Sequence, residues 1–454
     1  MPRSGAAGDH AGSTLRDQTG ELMSDRPEHD PHASHAETSV GLIQPSNKGL
    51  GAMDHPLTPG EVSALNWNLL REDLSLPAAV LLEEKLAHNL QWMQKFAAAY
   101  GAKLAPHGKT TMAPKLFARQ MEAGAWGITL ATVHQTRVAW QHGIRRVLMA
   151  NQLVGKQNMA GISELIADPQ FDYYCLVDSA ELIGSLGRFF QARGQRLNVL
   201  LELGVDGGRT GIRDSRQQRA ALVALSQWRQ HIALCGVEVF EGILKDENAV
   251  RSLLQNAVDL ASLLAHGKLF DRTPAILSGA GSAWYDVVAE VFSKADIGTP
   301  LEVVLRPGCY LTHDVGVYRA AQQQIQSRNS TAREIGPGLQ PALQLWAYVQ
   351  SVPEAARAIV GLGKRDAAFD AGFPTPNLHY RPGHKTPVAV PAAWSVVNMM
   401  DQHAYLQIAE GDDIRVGDMI GFDISHPCLT FDKWRCLPVV DSGYRVIDVV
   451  QTFF

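Results

Sequence analysis

LAPHGKTT, residues 104–111, is the stretch that decides how the rest of the chain reads. A short apolar run ends at Pro106, and a helix is announced just beyond it by Pro114 and by apolar residues at 116, 117, 121 and 125, with Thr110 or Thr111 expected as its cap. Lys109 therefore falls in a strand-to-helix loop. An amine placed there can hold an aldehyde if apolar walls or a nearby cation lower its pKa. Taken alone, the stretch reads more readily as an exposed lysine in the first turn of a helix, and the rest of the chain has to shift that reading.

Outward from this loop, residues 76 to about 310 alternate short apolar runs with stretches of helical period, the pattern of βα units around a parallel sheet. Nine strand-like runs are visible, at 79–82, 102–105, 127–131, 146–150, 173–177, 198–203, 236–240, 275–278 and 302–305, with helices such as 83–100, 180–192 and 249–266 between them. Eight consecutive units close a (β/α)8 barrel of the α/β class, whose site lies at the carboxyl ends of the strands. If run 79–82 belongs elsewhere, the strand before Lys109 is the first of the barrel. Beyond about residue 320, segments 343–352, 393–398, 405–408, 419–422 and 446–450 alternate or run short between Gly and Pro, a β-rich regime. The expected division is a flexible extension over 1–48, a barrel over 76–318, and a β-rich metal-binding domain over 319–454 joined by part of 49–84.

The 454 residues are 46% hydrophobic and 19% charged, a folded chain too long for one core. A net charge of −5 gives no basic face for nucleic acid or an anionic membrane, so a small molecule is the expected partner. No apolar run approaches the roughly 18 residues that span a bilayer, and no signal-peptide core opens the chain. The five scattered cysteines do not read as a disulfide framework. The expected location is the cytoplasm.

Three further motifs fall after strand-like runs. LSGAGS, 277–282, combines small residues with a following helix, a geometry whose free amides favour a phosphate and which also serves as a plain turn. GGRTG, 207–211, places Arg209 over the same barrel mouth, where a fixed cation can face a ring nitrogen or simply meet solvent. SHPC, 425–428, sets an imidazole and a thiol two positions apart, on one side of an extended segment, where both can grip one zinc. The bland reading of that pair is a buried cysteine beside a turn histidine. His403 is a candidate further ligand or acid–base group.

Together PHGKT, GGRTG, SGAGS, the RPGCY run at 306–310 and the late HPC, in this order, resemble the D-serine dehydratase and D-threonine aldolase family, fold-type III pyridoxal phosphate enzymes with an alanine-racemase-like barrel. The resemblance covers roughly 76–454. It implies that Lys109 bonds the pyridoxal 5'-phosphate aldehyde, that Arg209 faces the pyridine nitrogen, and that Gly279, Ala280, Gly281 and Ser282 hold the phosphate. Tyr310 would lie beside the cofactor, and His107, Thr210 and Gly308 belong to the same set. His426 and Cys428 would bind Zn2+, and the protein would be a homodimer. The chain departs from the family at Thr110-Thr111-Met112, where many members carry a second lysine, and at Phe240-Glu241-Gly242, where a tyrosine often leads; both bear on substrate contacts.

An always-protonated arginine leaves the pyridine nitrogen without a proton, so the ring is a weaker electron sink and help at the leaving group gains value. The implied reaction is removal of the α-proton of a D-β-hydroxy amino acid by Lys109 and departure of its hydroxide with zinc, ending in an α-keto acid and ammonia. D-serine, D-threonine and D-3-hydroxyaspartate all fit. A D-threonine aldolase, which breaks the Cα–Cβ bond, resembles the chain almost as well, but a carboxylate is expected there in place of Cys428. A non-catalytic pyridoxal phosphate carrier would lack the second domain, and a racemase has no use for HPC.

Overall fold

β1 (Ala78–Leu82) stands apart from the barrel, as run 79–82 allowed: it pairs antiparallel with residues around 345 and parallel with residues around 439, in a second sheet. The structure is a computed structural model, and it describes residues 41–454. Eight later strands form the parallel sheet: β2 (Lys103–Leu104), β3 (Ile128–Leu130), β4 (Arg146–Gln152), β5 (Asp172–Val177), β6 (Leu197–Leu203), β7 (Ile232–Val239), β8 (Ala275–Gly279) and β9 (Leu301–Leu305). Their order is β2-β9-β8-β7-β6-β5-β4-β3, and the curl closes where His107 bridges Thr129 and Trp126 N donates to Leu104 O at 2.6 Å. This is the α/β barrel expected from the alternation, in the alanine-racemase-like form that the resemblance implied.

The barrel interior is graded along its axis. Its lower layers are apolar, with Leu148, Tyr174, Leu176, Leu200, Cys235, Ile276 and Val304 in one buried cluster. Two residues further along the same inward rows come Glu202, Ser278 and Arg306, joined by Glu238 from β7, all buried at the carboxyl ends of their strands. Charge buried at this level marks the end where the barrel binds or reacts. Helices Glu83–Ala99, Ala180–Ala192 and Glu247–His266 cover the outside, and on the first of them Trp92 and Phe96 meet Tyr285 edge-on.

The remaining strands are β10 (Leu343–Glu354), β11 (Arg357–Val360), β12 (Thr375–Tyr380), β13 (Val388–Ala389), β14 (Ser395–Met399), β15 (Ala404–Gln407), β16 (Met419–Asp423), β17 (Cys436–Val440) and β18 (Val446–Gln451). With β1 they make a mixed sheet in the order β13-β12-β16-β10-β1-β17-β18, while β11, β15 and β14 branch from β10. The chain thus contributes to this sheet before and after the barrel. Of the extension expected over 1–48, residues 1–40, including His10, His29, His32 and His35, lie outside the described residues. Residues 41–48 belong to the β-rich part: Ile43 is fully buried and bridges Leu57, and Lys48 pairs with Asp366 at 2.9 Å over the Trp434 ring. No described helix is long and apolar enough to cross a membrane.

Candidate active site

β2 delivers the PHGKT loop to the barrel mouth. Lys109 sits in a single 3-10 turn, Gly108–Thr110, and the following helix, Pro114–Glu122, starts later than expected, with Ala113 as N-cap and no side-chain cap. The cause is Pro114, which holds the residue before it extended and so shifts the cap past Thr110 and Thr111. Freed from capping, Thr110 is buried with its hydroxyl 3.5 Å from the Cys428 sulfur and 3.9 Å from that of Cys309.

The Lys109 side chain remains open to solvent in the mouth, although protein surrounds most of it. That partial burial pulls its amine below the ordinary lysine value; Arg209 and Arg306 add to the effect, and the thiols of Cys428 and Cys309 oppose it. Among the described residues Lys109 Nζ has no hydrogen bond and no ion pair. His107 is held neutral, first by burial and then by the cations Lys109, Arg306 and Arg209, and its Nδ1 is a buried atom without a partner. A free amine beside an unpartnered ring nitrogen fits a polar, aldehyde-bearing group in this mouth.

The loop after β8 gives the second part of the fit. Ala280 adopts φ +75, so its N–H and that of Gly281 converge on one point, the geometry of an anion-binding nest. That point is held by the fully buried Glu241, which accepts from Ala280 N at 3.1 Å and Gly281 N at 2.6 Å. Burial raises the Glu241 carboxyl, and the backbone donors of the loop oppose the rise. The seat therefore takes an anionic oxygen, and a phosphate must displace or share with Glu241. Ser282 Oγ accepts from Cys309 N at 3.2 Å, locking this loop to the one after β9. Gly308 is required at the junction, since a Cβ there would lie 2.7 Å from Thr110 Oγ1 and 2.9 Å from His107 Cβ.

Arg209 lies 4.2 Å over the Phe240 ring, and Thr210 donates to Glu202 at 2.7 Å, with Gln152 donating to the same carboxylate at 2.5 Å. Beneath them Arg306 is bonded to Glu238, to Ser278 Oγ at 3.0 Å and to the carbonyl of Val239 at 3.0 Å. Burial pushes the Glu238 carboxyl up, and the Arg306 guanidinium beside it opposes the rise. Tyr310 is buried, its hydroxyl accepting from Gln120 at 3.0 Å.

The HPC pair does not lie on an extended segment. Pro427 is helical, at φ −60 and ψ −47, and Cys428 opens the short helix Cys428–Phe431. The two side chains nonetheless meet: the Cys428 thiol lies beside His426, and its sulfur is 3.8 Å from that of Cys309. The hydrogen bond from Cys309 and the His426 ring pull Cys428 down to about 4, while Cys309 is pushed well up as it keeps the shared proton. His426 is raised to about 9, first by its bond with Cys428, and its Nδ1 is 2.8 Å from Asp370. An imidazole oriented by a carboxylate beside a thiolate is the donor set of a zinc site. Among the described residues, no three His, Cys, Asp or Glu side chains already form a metal cage.

His403 is not part of this assembly. It is exposed in the hairpin between β14 and β15, where Met400 N donates to its carbonyl at 2.8 Å. Missed from the sequence were Glu202, Glu238 and Asp370. The two glutamates interrupt otherwise apolar strands, a readable signal because an unpaired carboxylate there is costly; Asp370 carried none. A wide groove lined by Val154, Met159, Leu182 and Phe189 lies on the rim after β4 and β5 and contains none of these groups.

The barrel and its mouth define the class: an alanine-racemase-like α/β protein with a lysine at the end of its first strand. A model described as alanine racemase, N-terminal domain, matches residues 83–292, and one described as putative serine dehydratase domain matches 342–440. The two matches, side by side in one chain, bear out the resemblance to the D-serine dehydratase and D-threonine aldolase family. It is 25% identical over 404 residues to a D-threonine aldolase of Arthrobacter sp, covering 86% of this chain and 94% of that one. A D-threo-3-hydroxyaspartate dehydratase of Delftia sp. (strain HT23) is 28% identical over 139 residues, 31% of this chain and 36% of that one. Of solved structures, a D-threonine aldolase from Filomicrobium marinum superposes with a TM-score of 0.69 at 22% identity, covering 85% and 97% of the two chains. A cysteine-to-alanine variant of a D-threo-3-hydroxyaspartate dehydratase, in the metal-free form, gives 0.66 at 20% identity over 85% and 99%. These structural likenesses carry the fold; the sequence relatives are lyases acting on D-hydroxy amino acids.

Proposed function

We propose that this protein is a pyridoxal phosphate- and zinc-dependent lyase that dehydrates and deaminates a D-β-hydroxy amino acid to an α-keto acid and ammonia. The observation that carries the reading is the contact of Thr110, the neighbour of Lys109, with the Cys428 sulfur, which sets a metal-type donor pair beside the reactive amine. That a cysteine variant of a dehydratase with this fold is described in a metal-free form supports a metal in such proteins.

Lys109, His107, Arg209 and the loop 279–282 would hold pyridoxal phosphate, and His426 and Cys428 the metal. When bound, the cofactor supplies an aldehyde to capture the substrate amine and a conjugated ring to draw electrons from Cα, and the metal supplies a Lewis acid for the β-hydroxyl. Lys109, with its lowered proton affinity, takes the α-proton at Nζ. Asp370 fixes the His426 ring through Nδ1, so that Nε2 would be the atom to bind the metal. Glu202 anchors Thr210 and with it the Arg209 turn, while the Arg306–Glu238 pair keeps the barrel floor rigid. Loss of the α-proton and of hydroxide leaves an enamino acid, which hydrolyses to the keto acid and ammonia.

A second reading, retro-aldol cleavage to glycine and an aldehyde, is favoured by the long match to the Arthrobacter aldolase. Against it stands the thiolate at Cys428, a soft ligand that selects zinc over harder divalent ions. Incubating metal-loaded protein with D-threonine separates the two. 2-Oxobutanoate with ammonia is expected; glycine with acetaldehyde assigns the aldolase, and no turnover of any D-β-hydroxy amino acid overturns both.

A further inference from the structure

We propose that Cys309 is a third protein ligand to the metal held by His426 and Cys428, completing a one-nitrogen, two-sulfur site with one position open for the substrate hydroxyl. The inference rests on the metal reading of the His426–Cys428 pair and adds to it a residue from the other half of the molecule.

The geometry carries it. Cys309 follows β9 of the barrel and Cys428 opens a helix of the β-rich part, 119 residues apart, yet their sulfurs lie 3.8 Å from one another. A tetrahedral zinc bonded at about 2.3 Å to two thiolates holds those sulfurs about 3.8 Å apart. A disulfide would require roughly 2.05 Å. Cys309 is also fixed in place: its backbone N–H is bonded to Ser282 Oγ, and Gly308 allows the loop to lie against His107 and Thr110. Thr110 Oγ1 lies within reach of both sulfurs, 3.9 Å from that of Cys309 and 3.5 Å from that of Cys428, so one hydroxyl sits against the pair. The third member is the most adaptable: His426 is half-buried on a turn and held through Nδ1 by Asp370, so Nε2 can close on the metal.

Three ligands and an open position are the pattern of catalytic zinc. Two thiolates balance the charge of the ion, so this site would retain its metal more strongly and acidify a bound hydroxyl less than a one-thiolate site. It would also clamp the β-rich part to the barrel loop that borders the phosphate seat.

The test uses the full-length protein and needs no turnover. X-ray absorption at the zinc edge of the reconstituted wild type is expected to require two sulfur ligands, and Cys309→Ala one. Zinc affinity, read by competition with a chromophoric chelator, is expected to fall at least about 100-fold in Cys309→Ala, more than second-shell losses typically cost. With cobalt as probe, the thiolate charge-transfer band is expected to fall by about half. One sulfur in the wild type, unchanged affinity and band in Cys309→Ala, or a Cys309–Cys428 disulfide in the metal-loaded protein overturns the inference. If neither wild type nor Cys428→Ala binds zinc or cobalt stoichiometrically, the metal reading itself falls, and this inference with it. The sulfur count on wild type stands even if the variant fails to fold.

Discussion

Glu241 holds two amides, those of Ala280 and Gly281, that a phosphate entering the same loop needs. Two anions then contend for one nest, and Arg306, the cation that acts on Glu241, is already paired with Glu238. Glu241→Gln removes the charge and keeps an acceptor, so the variant is expected to bind pyridoxal phosphate about tenfold more tightly, ~1.4 kcal/mol, by equilibrium dialysis. Weaker binding would mean that Glu241 supports the seat instead of competing for it. The same residue explains why a glycine loop alone says little: the amides were legible from SGAGS, but their present occupant comes from another strand end.

Among the elements, β7 and β9 are tied by the Arg306–Glu238 pair, in which both side chains are almost wholly buried. Removing one charge strands the other, so Arg306→Leu is expected to cost about 3–5 kcal/mol in chemical denaturation, whereas Arg306→Leu with Glu238→Leu restores most of it. Equal losses in single and double variants would show that the charge is not what holds these strands. In the second sheet, Asp418 at the edge of β16 accepts from Arg381 at 2.8 and 2.9 Å and from His379 at 2.8 Å. Burial alone would raise Asp418, but Arg381 and His379 together hold it below the ordinary carboxylate value. An acid depressed in the fold stabilises it fully above its unfolded pKa, near 3.9, and loses that contribution as pH falls through the folded value. Stability is thus expected to drop below about pH 4 and to do so less in Asp418→Asn; identical acid profiles would contradict the assignment.

Strands of the barrel were readable because a sheet buried on both faces needs continuous apolar runs. β12 and β17 were not: TPNLHY is too polar, and Pro438 interrupts CLPVV where a ladder donor is expected. Lys109, Arg209 and the glycine loop were expected at one end of the barrel because each follows a strand-like run, whereas the HPC pair joined them only through the family resemblance. Two details were not legible in the sequence, the shift of the helix cap to Ala113 by Pro114 and the helical turn at Pro427.

At the scale of the whole molecule, the chain enters the second sheet, leaves it to build the barrel, and returns. β1 lies between β10 and β17, so the C-terminal segment lacks an inner strand unless the N-terminal one is present. A fragment beginning near residue 340 is expected to stay unfolded by circular dichroism, and to gain cooperative structure only when residues 41–82 are supplied in the same chain. A fragment that folds alone would contradict the interleaved arrangement.

Lys109 is the residue that would bond the cofactor, and borohydride reduction of pyridoxal phosphate-loaded protein followed by peptide mass spectrometry reads that bond out. The phosphopyridoxyl mass is expected on Lys109 alone and absent from Lys109→Ala. A label on any other lysine, or none on the wild type, would contradict the account.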